Sequence, residues 1–210
     1  MNSLNSPFVN YFITAIGTDS GKTLVSAIIT EMLGADYWKP VQSGHPRDTE
    51  TVQSLISNHQ SRFYKEQYLL KTPVSPHASA RIDQIDIEVN SMTPPISNRD
   101  LVIEGAGGLL VPLNDHDTIL DLIQALEVEV ILVSNLYLGS INHTLLTVEV
   151  LKQNEVPVKG IIFNGEPNPS SEEVILAKSG YTRLLSILPE AEINKEVVRR
   201  YADLLKENWS

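Results

Sequence analysis

The sequence predicts an α/β fold: one domain over residues 1–210, with a mostly parallel sheet and helices on both faces. Three observations lead there. Apolar, β-branched runs alternate along the chain with segments of helical pattern. The runs are apolar on both faces, as strands buried between two helical layers must be. The first run passes through a glycine-containing turn, Thr18-Asp19-Ser20-Gly21-Lys22-Thr23, directly into a helical segment. Composition permits this fold. Hydrophobic residues make up 42% of the chain, enough for a substantial core.

The first strand is expected at Tyr11–Ile16 and the first helix at Lys22–Leu33. Strand, turn, Gly-Lys-Thr and helix together form the order of a phosphate-binding loop. A turn wrapped around an anion points its N–H groups inward, and the helix behind it adds roughly half a positive charge. Lys22 would reach the terminal phosphates and the Thr23 hydroxyl would hold Mg²⁺. The usual pattern places a glycine five residues before the second one, where this chain has Ile16, flanked by Ala15 and Gly17. A plain strand-to-helix turn carrying a surface lysine is the competing reading.

The second strand is expected at Tyr37–Val41, with Lys39 at its carboxyl end. There Lys39 would be a second cation for a triphosphate; taken alone it reads as a solvated lysine before a turn. A helix follows at Thr49–Ser57. Asp48 at its start has two readings, helix cap and Mg²⁺ ligand. The stretch from Gln60 to Asn98 is irregular and reads as an insertion reaching over the active face. The third strand, Leu101–Glu104, ends in a carboxylate after three apolar residues. Such a group is costly to bury unless a partner such as Mg²⁺ satisfies it. The glycines behind it, Gly105, Gly107 and Gly108, permit tight turns and close approach to a ligand.

A helix at Leu120–Leu126 leads to a strand at Val130–Ser134. Gly139-Ser140-Ile141-Asn142-His143 then opens the helix Ile141–Gln153. Ser140 reads equally as a helix cap and as part of an N–H cluster for a substrate carboxylate. The fifth strand, Lys159–Asn164, closes on an amide that suits an adenine edge; a turn-forming asparagine is the alternative. A helix at Glu172–Lys178, a short strand at Leu184–Leu188 and a helix at Lys195–Glu207 complete the chain.

Several classes are excluded or disfavoured. The formal charge is −10, which argues against a nucleic-acid or anionic-membrane surface. The chain has no cysteine, so disulfides, thiol chemistry and thiolate metal sites are absent. His45, His59, His77, His116 and His143 show no paired helical spacing for zinc. No apolar stretch is long enough to span a bilayer. Met1 to Asn10 lack the basic start and apolar middle of a signal peptide. A cytoplasmic protein is the expectation.

Taken together, Thr18–Thr23, Lys39-Pro40-Val41-Gln42-Ser43-Gly44, Ser75-Pro76-His77, Glu104-Gly105-Ala106-Gly107-Gly108, Leu138-Gly139-Ser140-Ile141-Asn142-His143 and Asn164 resemble the dethiobiotin synthetases, a family of the P-loop NTPase superfamily. The resemblance implies an ATP-dependent cyclo-ligase that acts on 7,8-diaminononanoate and CO₂, with Mg²⁺, as a homodimer in the cytoplasm. It implies catalytic roles for Lys22 and Lys39. Nucleotide would meet Thr18, Asp19, Ser20, Gly21, Lys22, Thr23, Asn164 and Pro189. Substrate would meet Ser43, Gly107, Gly139, Ser140, Ile141 and Asn142, the last four across the dimer interface. Thr23, Asp48 and Glu104 would hold the metal. The family usually reads Gly-Thr-Asp-Thr where this chain has Ala15-Ile16-Gly17-Thr18. A left-handed backbone at Ala15 would be strained, and Gly17 would let the turn bend later. The alternative function is a nucleotide-binding module of the same superfamily that has lost catalysis.

Overall fold

A computed structural model describes residues 7–209. The expectation that Met1 to Asn10 form no signal peptide rests partly on residues 1–6, which lie outside the described residues. Among the described residues, seven parallel strands form the main sheet: β1 (Asn10–Ala15), β2 (Asp36–Trp38), β4 (Phe63–Tyr64), β6 (Leu101–Glu104), β7 (Glu129–Asn135), β8 (Val158–Asn164) and β9 (Arg183–Ile187). Their spatial order is β4-β2-β6-β1-β7-β8-β9. The sheet is wound in both directions from β1, with β6 on one side and β7 on the other. That reversal opens a crevice at the carboxyl ends of the strands, where α/β folds bind ligands.

Alternation along the strands sends side chains into two cores. Phe12, Leu101 and Ile103 belong to one apolar cluster, and Tyr11, Ile13 and Val102 to the other. The second cluster is covered by α1 (Lys22–Leu33) and α7 (Lys195–Lys206). The first lies beneath α4 (Ile119–Leu126), α5 (Ser140–Gln153) and α6 (Pro169–Ser179). Strands buried on both faces thus appear as the unbroken apolar runs seen in the sequence.

The expected strand Tyr37–Val41 divides. β2 stops at Trp38, and a separate strand, β3 (Val41–Ser43), pairs with β5 (Tyr68–Leu70) in a small two-stranded sheet. Pro40 accounts for the break. It lacks an N–H for the ladder and fixes φ, while its carbonyl accepts the N–H groups of Gln67 and Tyr68. The irregular stretch 60–98 contains β4, β5, α3 (Pro76–Asp83) and a short 3₁₀ turn at Val89–Ser91. The helix α2 (Asp48–Leu55) starts one residue before the expected Thr49.

Candidate active site

A cavity of about 770 Å³ lies at the carboxyl ends of β1, β2 and β6. Its floor is the loop Thr18–Thr23, and its walls include Lys39, Ser43, Asp48, Glu104 and Gly107. Residues 73–76 contribute to its rim, so part of the irregular stretch does reach this face.

The loop is bent at two left-handed residues, Asp19 (φ 55°) and Gly21 (φ 94°). Ala15 lies in β1, and neither it nor Gly17 has positive φ, so the feared strain at Ala15 does not arise. Gly21 is the position that needs glycine. Besides its φ, a Cβ there would stand 2.3 Å from Asn164 Nδ2. That amide donates to the Ser20 carbonyl at 3.0 Å, tying the end of β8 to the loop. Gly21 caps α1 without a side-chain bond, which leaves the first-turn N–H groups facing the cavity side. Lys22 folds back to donate to the Gly17 carbonyl at 3.1 Å, which Ser20 Oγ also approaches at 3.1 Å.

Register brings the charged groups together. Tyr37 pairs with Val102 and Trp38 with Ile103, so Lys39 follows β2 level with Glu104 at the end of β6. Lys39 Nζ lies 2.6 Å from Asp48 Oδ2 and 3.1 Å from Glu104 Oε1, and donates to the Gly105 carbonyl at 3.0 Å. The Thr23 hydroxyl lies 2.9 Å from Glu104 Oε1 and 3.2 Å from Asp48 Oδ1. Tyr37 donates to Glu104 Oε2 at 2.8 Å. Lys39 is 4% exposed and Glu104 1%, so the pair is held in a low-dielectric setting. Asp48 spends its carboxylate on Lys39 and Thr23, and no side chain caps α2. Instead Gln42 Oε1 accepts the Asp48 N–H at 3.0 Å, which fixes that end of the helix.

The two lysines differ. Burial first, and then the nearby charge of Lys39, lower the Lys22 ammonium to about 8 against the pull of Glu104, Asp48 and Asp19. Burial also acts against the Lys39 ammonium, but Glu104 and Asp48 outweigh it and raise its pKa above the usual lysine value. Lys39 therefore keeps its proton where Lys22 begins to lose one. Phosphates bound beside Lys22 would hold the proton that the free protein releases near pH 8. Nucleotide affinity measured without metal is thus expected to stay level to about pH 8. It then falls, approaching tenfold per pH unit. An affinity that is flat from pH 8 to about 9.5 would contradict this assignment.

A family model described as an AAA domain matches residues 9–197. A protein of Cytophaga hutchinsonii named ATP-dependent dethiobiotin synthetase BioD is 56% identical over 95% of this chain and 98% of its own length. One of the same name from Christiangramia forsetii is 48% identical over 94% and 96%. The chain belongs to the dethiobiotin synthetase family. The fold itself is shared more widely. A septum site-determining protein MinD from Pyrococcus horikoshii, complexed with Mg-ADP, superposes with a TM-score of 0.57. It is 15% identical and covers 95% of this chain and 89% of its own. A plasmid partition protein of Borrelia burgdorferi bound to AMPPNP gives 0.58 at 12% identity, covering 96% and 98%.

The donor set of this dethiobiotin synthetase family member fits magnesium. Thr23, Asp48 and Glu104 offer oxygen only, at one edge of the cavity. Among the described residues no group of three His, Cys, Asp or Glu side chains is gathered to hold a metal. Mg²⁺ suits that arrangement, because it takes one or two carboxylates and fills its shell with water and phosphate oxygens.

The other expected site residues lie apart from this cavity. Asn164 braces the loop from behind, with its Nδ2 committed to Ser20. Pro189 follows β9 and is exposed. Gly139 caps α5 with φ 104°, and Ser140, Ile141 and Asn142 form the first turn of that helix. They adjoin a second, apolar groove of about 530 Å³ lined by residues 16–18, 108–112 and the α5 side chains His143, Leu146 and Thr147. The two cavities share Thr18, Gly108's neighbour Gly107 lies in the first, and Val111 lines both. Ser140 does not act as a side-chain cap. His77 sits in the first turn of α3, where its N–H donates to the Pro112 carbonyl and its Nδ1 is buried without a partner. Sequence reasoning missed Gln42 and Tyr37. Gln42 stands inside a quoted motif and could have been read as a cap for the helix six residues on. Tyr37 reads simply as an apolar strand residue.

Proposed function

We propose that this protein closes the ureido ring of dethiobiotin from 7,8-diaminononanoate, CO₂ and ATP. The observation that carries the reading is the convergence of Lys22, Lys39, Thr23, Asp48 and Glu104 at the mouth of a phosphate-binding loop. Membership of the dethiobiotin synthetase family supplies the substrates. One amine of the diamine adds to CO₂ and loses a proton, giving a carbamate. A carbamate oxygen attacks the γ-phosphorus of ATP, and ADP leaves. The second amine attacks the resulting mixed anhydride, the C–O bond to phosphate breaks, and inorganic phosphate departs with ring closure.

The carbamate and the triphosphate are both anionic, so the central task is to bring like charges together. The loop N–H groups and Lys22 would hold the phosphates, and Lys39 would face the carbamate and the transferring phosphoryl group. Mg²⁺ held by Thr23, Asp48 and Glu104 would neutralise charge on the β- and γ-phosphate oxygens. Ser43, whose buried Oγ has no partner, and Gly107 line the same cavity and would meet the diamine. Incubation with the diamine, bicarbonate, Mg²⁺ and ATP is expected to yield the cyclic urea by mass, with one ADP formed per product. ATP consumption without cyclic urea would reject the reading.

The same reading includes a second copy of the chain over the apolar groove. Leu138 is fully exposed beside it, and Tyr137, Leu110 and Leu146 are about half exposed. The turn Gly139–Asn142 would then lie between copies, close to the shared residues Thr18 and Val111, and could receive the substrate carboxylate. Pro189 and Asn164 are assigned to the adenine side of the nucleotide. Sedimentation is expected to give a dimer for the unsubstituted chain and a monomer for Leu146→Asp; a monomeric unsubstituted chain would overturn the pairing. The net charge of −10 supports small-molecule partners over nucleic acid. Among the described residues, no helix is long and apolar enough to cross a membrane.

A further inference from the structure

We infer that Tyr37 is a positioning residue for Glu104, holding Oε2 from behind so that Oε1 stays aimed at the metal edge of the cavity. The inference rests on the magnesium assignment made above. The strand register supplies the geometry. Tyr37 stands opposite Val102, and Glu104 lies two residues further along on the same face. The ring is fully buried in the apolar cluster beneath α1, tilted against Phe63 at a centroid distance of 5.8 Å. Its backbone N–H is tied to the Arg62 carbonyl at 2.9 Å. The hydroxyl is therefore delivered from a rigid, dry platform, and its acceptor is Glu104 Oε2 at 2.8 Å.

The two oxygens of Glu104 have separate surroundings. Oε1 meets Thr23 and Lys39, both of which line the cavity. These two groups must reorganise when phosphates and metal arrive, because the Thr23 oxygen would turn its lone pair to the metal and Lys39 would turn to new anions. Oε2 meets the phenol, which does not line the cavity. The bond to Tyr37 is the one that can persist through loading. Without it, a carboxylate with 1% exposure would keep a buried oxygen lacking that donor and would be free to rotate. Partners behind a metal-binding side chain commonly change metal affinity by about 10–100-fold.

The test is Tyr37→Phe, which keeps the ring and removes only the hydroxyl. Mn²⁺ binding is followed by electron paramagnetic resonance with a non-hydrolysable ATP analogue present, and analogue binding is followed separately in EDTA. Y37F is expected to weaken Mn²⁺ binding about tenfold or more, to leave metal-free analogue binding unchanged, and to regain turnover at high Mg²⁺. Glu104→Ala should weaken Mn²⁺ binding further, and Y37F should add nothing in that background. If E104A weakens the metal and Y37F does not, the role of Tyr37 is overturned and the metal site stands. An equal Y37F effect in both backgrounds would also overturn it, since the effect would not run through Glu104. If neither substitution moves the titration, the metal assignment itself fails. Tyr37→Met, a second donor-free side chain that adapts to its space, gives the same reading should Y37F not fold.

Discussion

Lys22→Ala is expected to lower turnover by about a hundredfold to a thousandfold or more while leaving the fold intact. The ammonium is the cation nearest the loop turn, and it is held in place before any ligand arrives by its bond to the Gly17 carbonyl. Losing it removes a preorganised charge in a site where little water screens it. Structure should survive for three reasons. Alanine favours a helix start of this kind. The Gly17 carbonyl keeps the Ser20 hydroxyl as a partner. Burial already acts against the charged form of Lys22, as its lowering to about 8 shows, so the side chain is retained at a cost to stability. Steady-state turnover and a thermal melt check both halves. Near-normal turnover in a folded variant would remove Lys22 from the chemistry.

Lys39→Ala is expected to be as damaging to turnover and also to destabilise the free protein. Its ammonium bridges Asp48 and Glu104, and Glu104 is 1% exposed. Removing one member of a buried ion pair leaves the other uncompensated, typically by about 3–5 kcal/mol. The partial exposure of Asp48 places this site at the lower end of that range. Mg²⁺ with nucleotide should restore part of the loss, because a divalent ion on the same carboxylates replaces the missing charge. Denaturant melts with and without Mg²⁺ and nucleotide measure this. Equal stability of K39A and the unsubstituted chain, in the absence of metal, would show that the bridge does not hold the site together.

Much of this was legible in the residues. The unbroken apolar runs gave the parallel sheet, because strands buried on both faces leave no polar alternation to read. Thr23, Lys39, Asp48 and Glu104 could be nominated because each stands where a buried strand or a helix start meets a rim. Their convergence was another matter, since it depends on the pairing of β2 with β6 and on Lys39 falling level with Glu104. Two residues of difference in that register would separate them by more than 6 Å. Pro40 marks the break in the sequence itself, and Val41 beyond it carries the apolar pattern past the true end of β2. The short strands of 60–98 were hidden for a different reason. β4 and β5 have two and three residues, too few to establish a period, and they form by docking onto existing edges. Ala15 is a different case. The left-handed bends fall later, at Asp19 and Gly21, so counting back from Gly-Lys-Thr located the loop but not its turns.

Two ammonium groups and a metal edge are expected to converge on one triphosphate. A crystal structure with Mg²⁺, a non-hydrolysable ATP analogue and the diamine tests it most directly. The expected complex has β- and γ-phosphates within hydrogen-bond reach of Lys22 and the loop N–H groups, metal bonded to Thr23 with Asp48 and Glu104 around it, and Lys39 turned toward the γ-phosphate. Phosphates bound elsewhere, or a metal whose shell excludes Thr23, Asp48 and Glu104 alike, would contradict it.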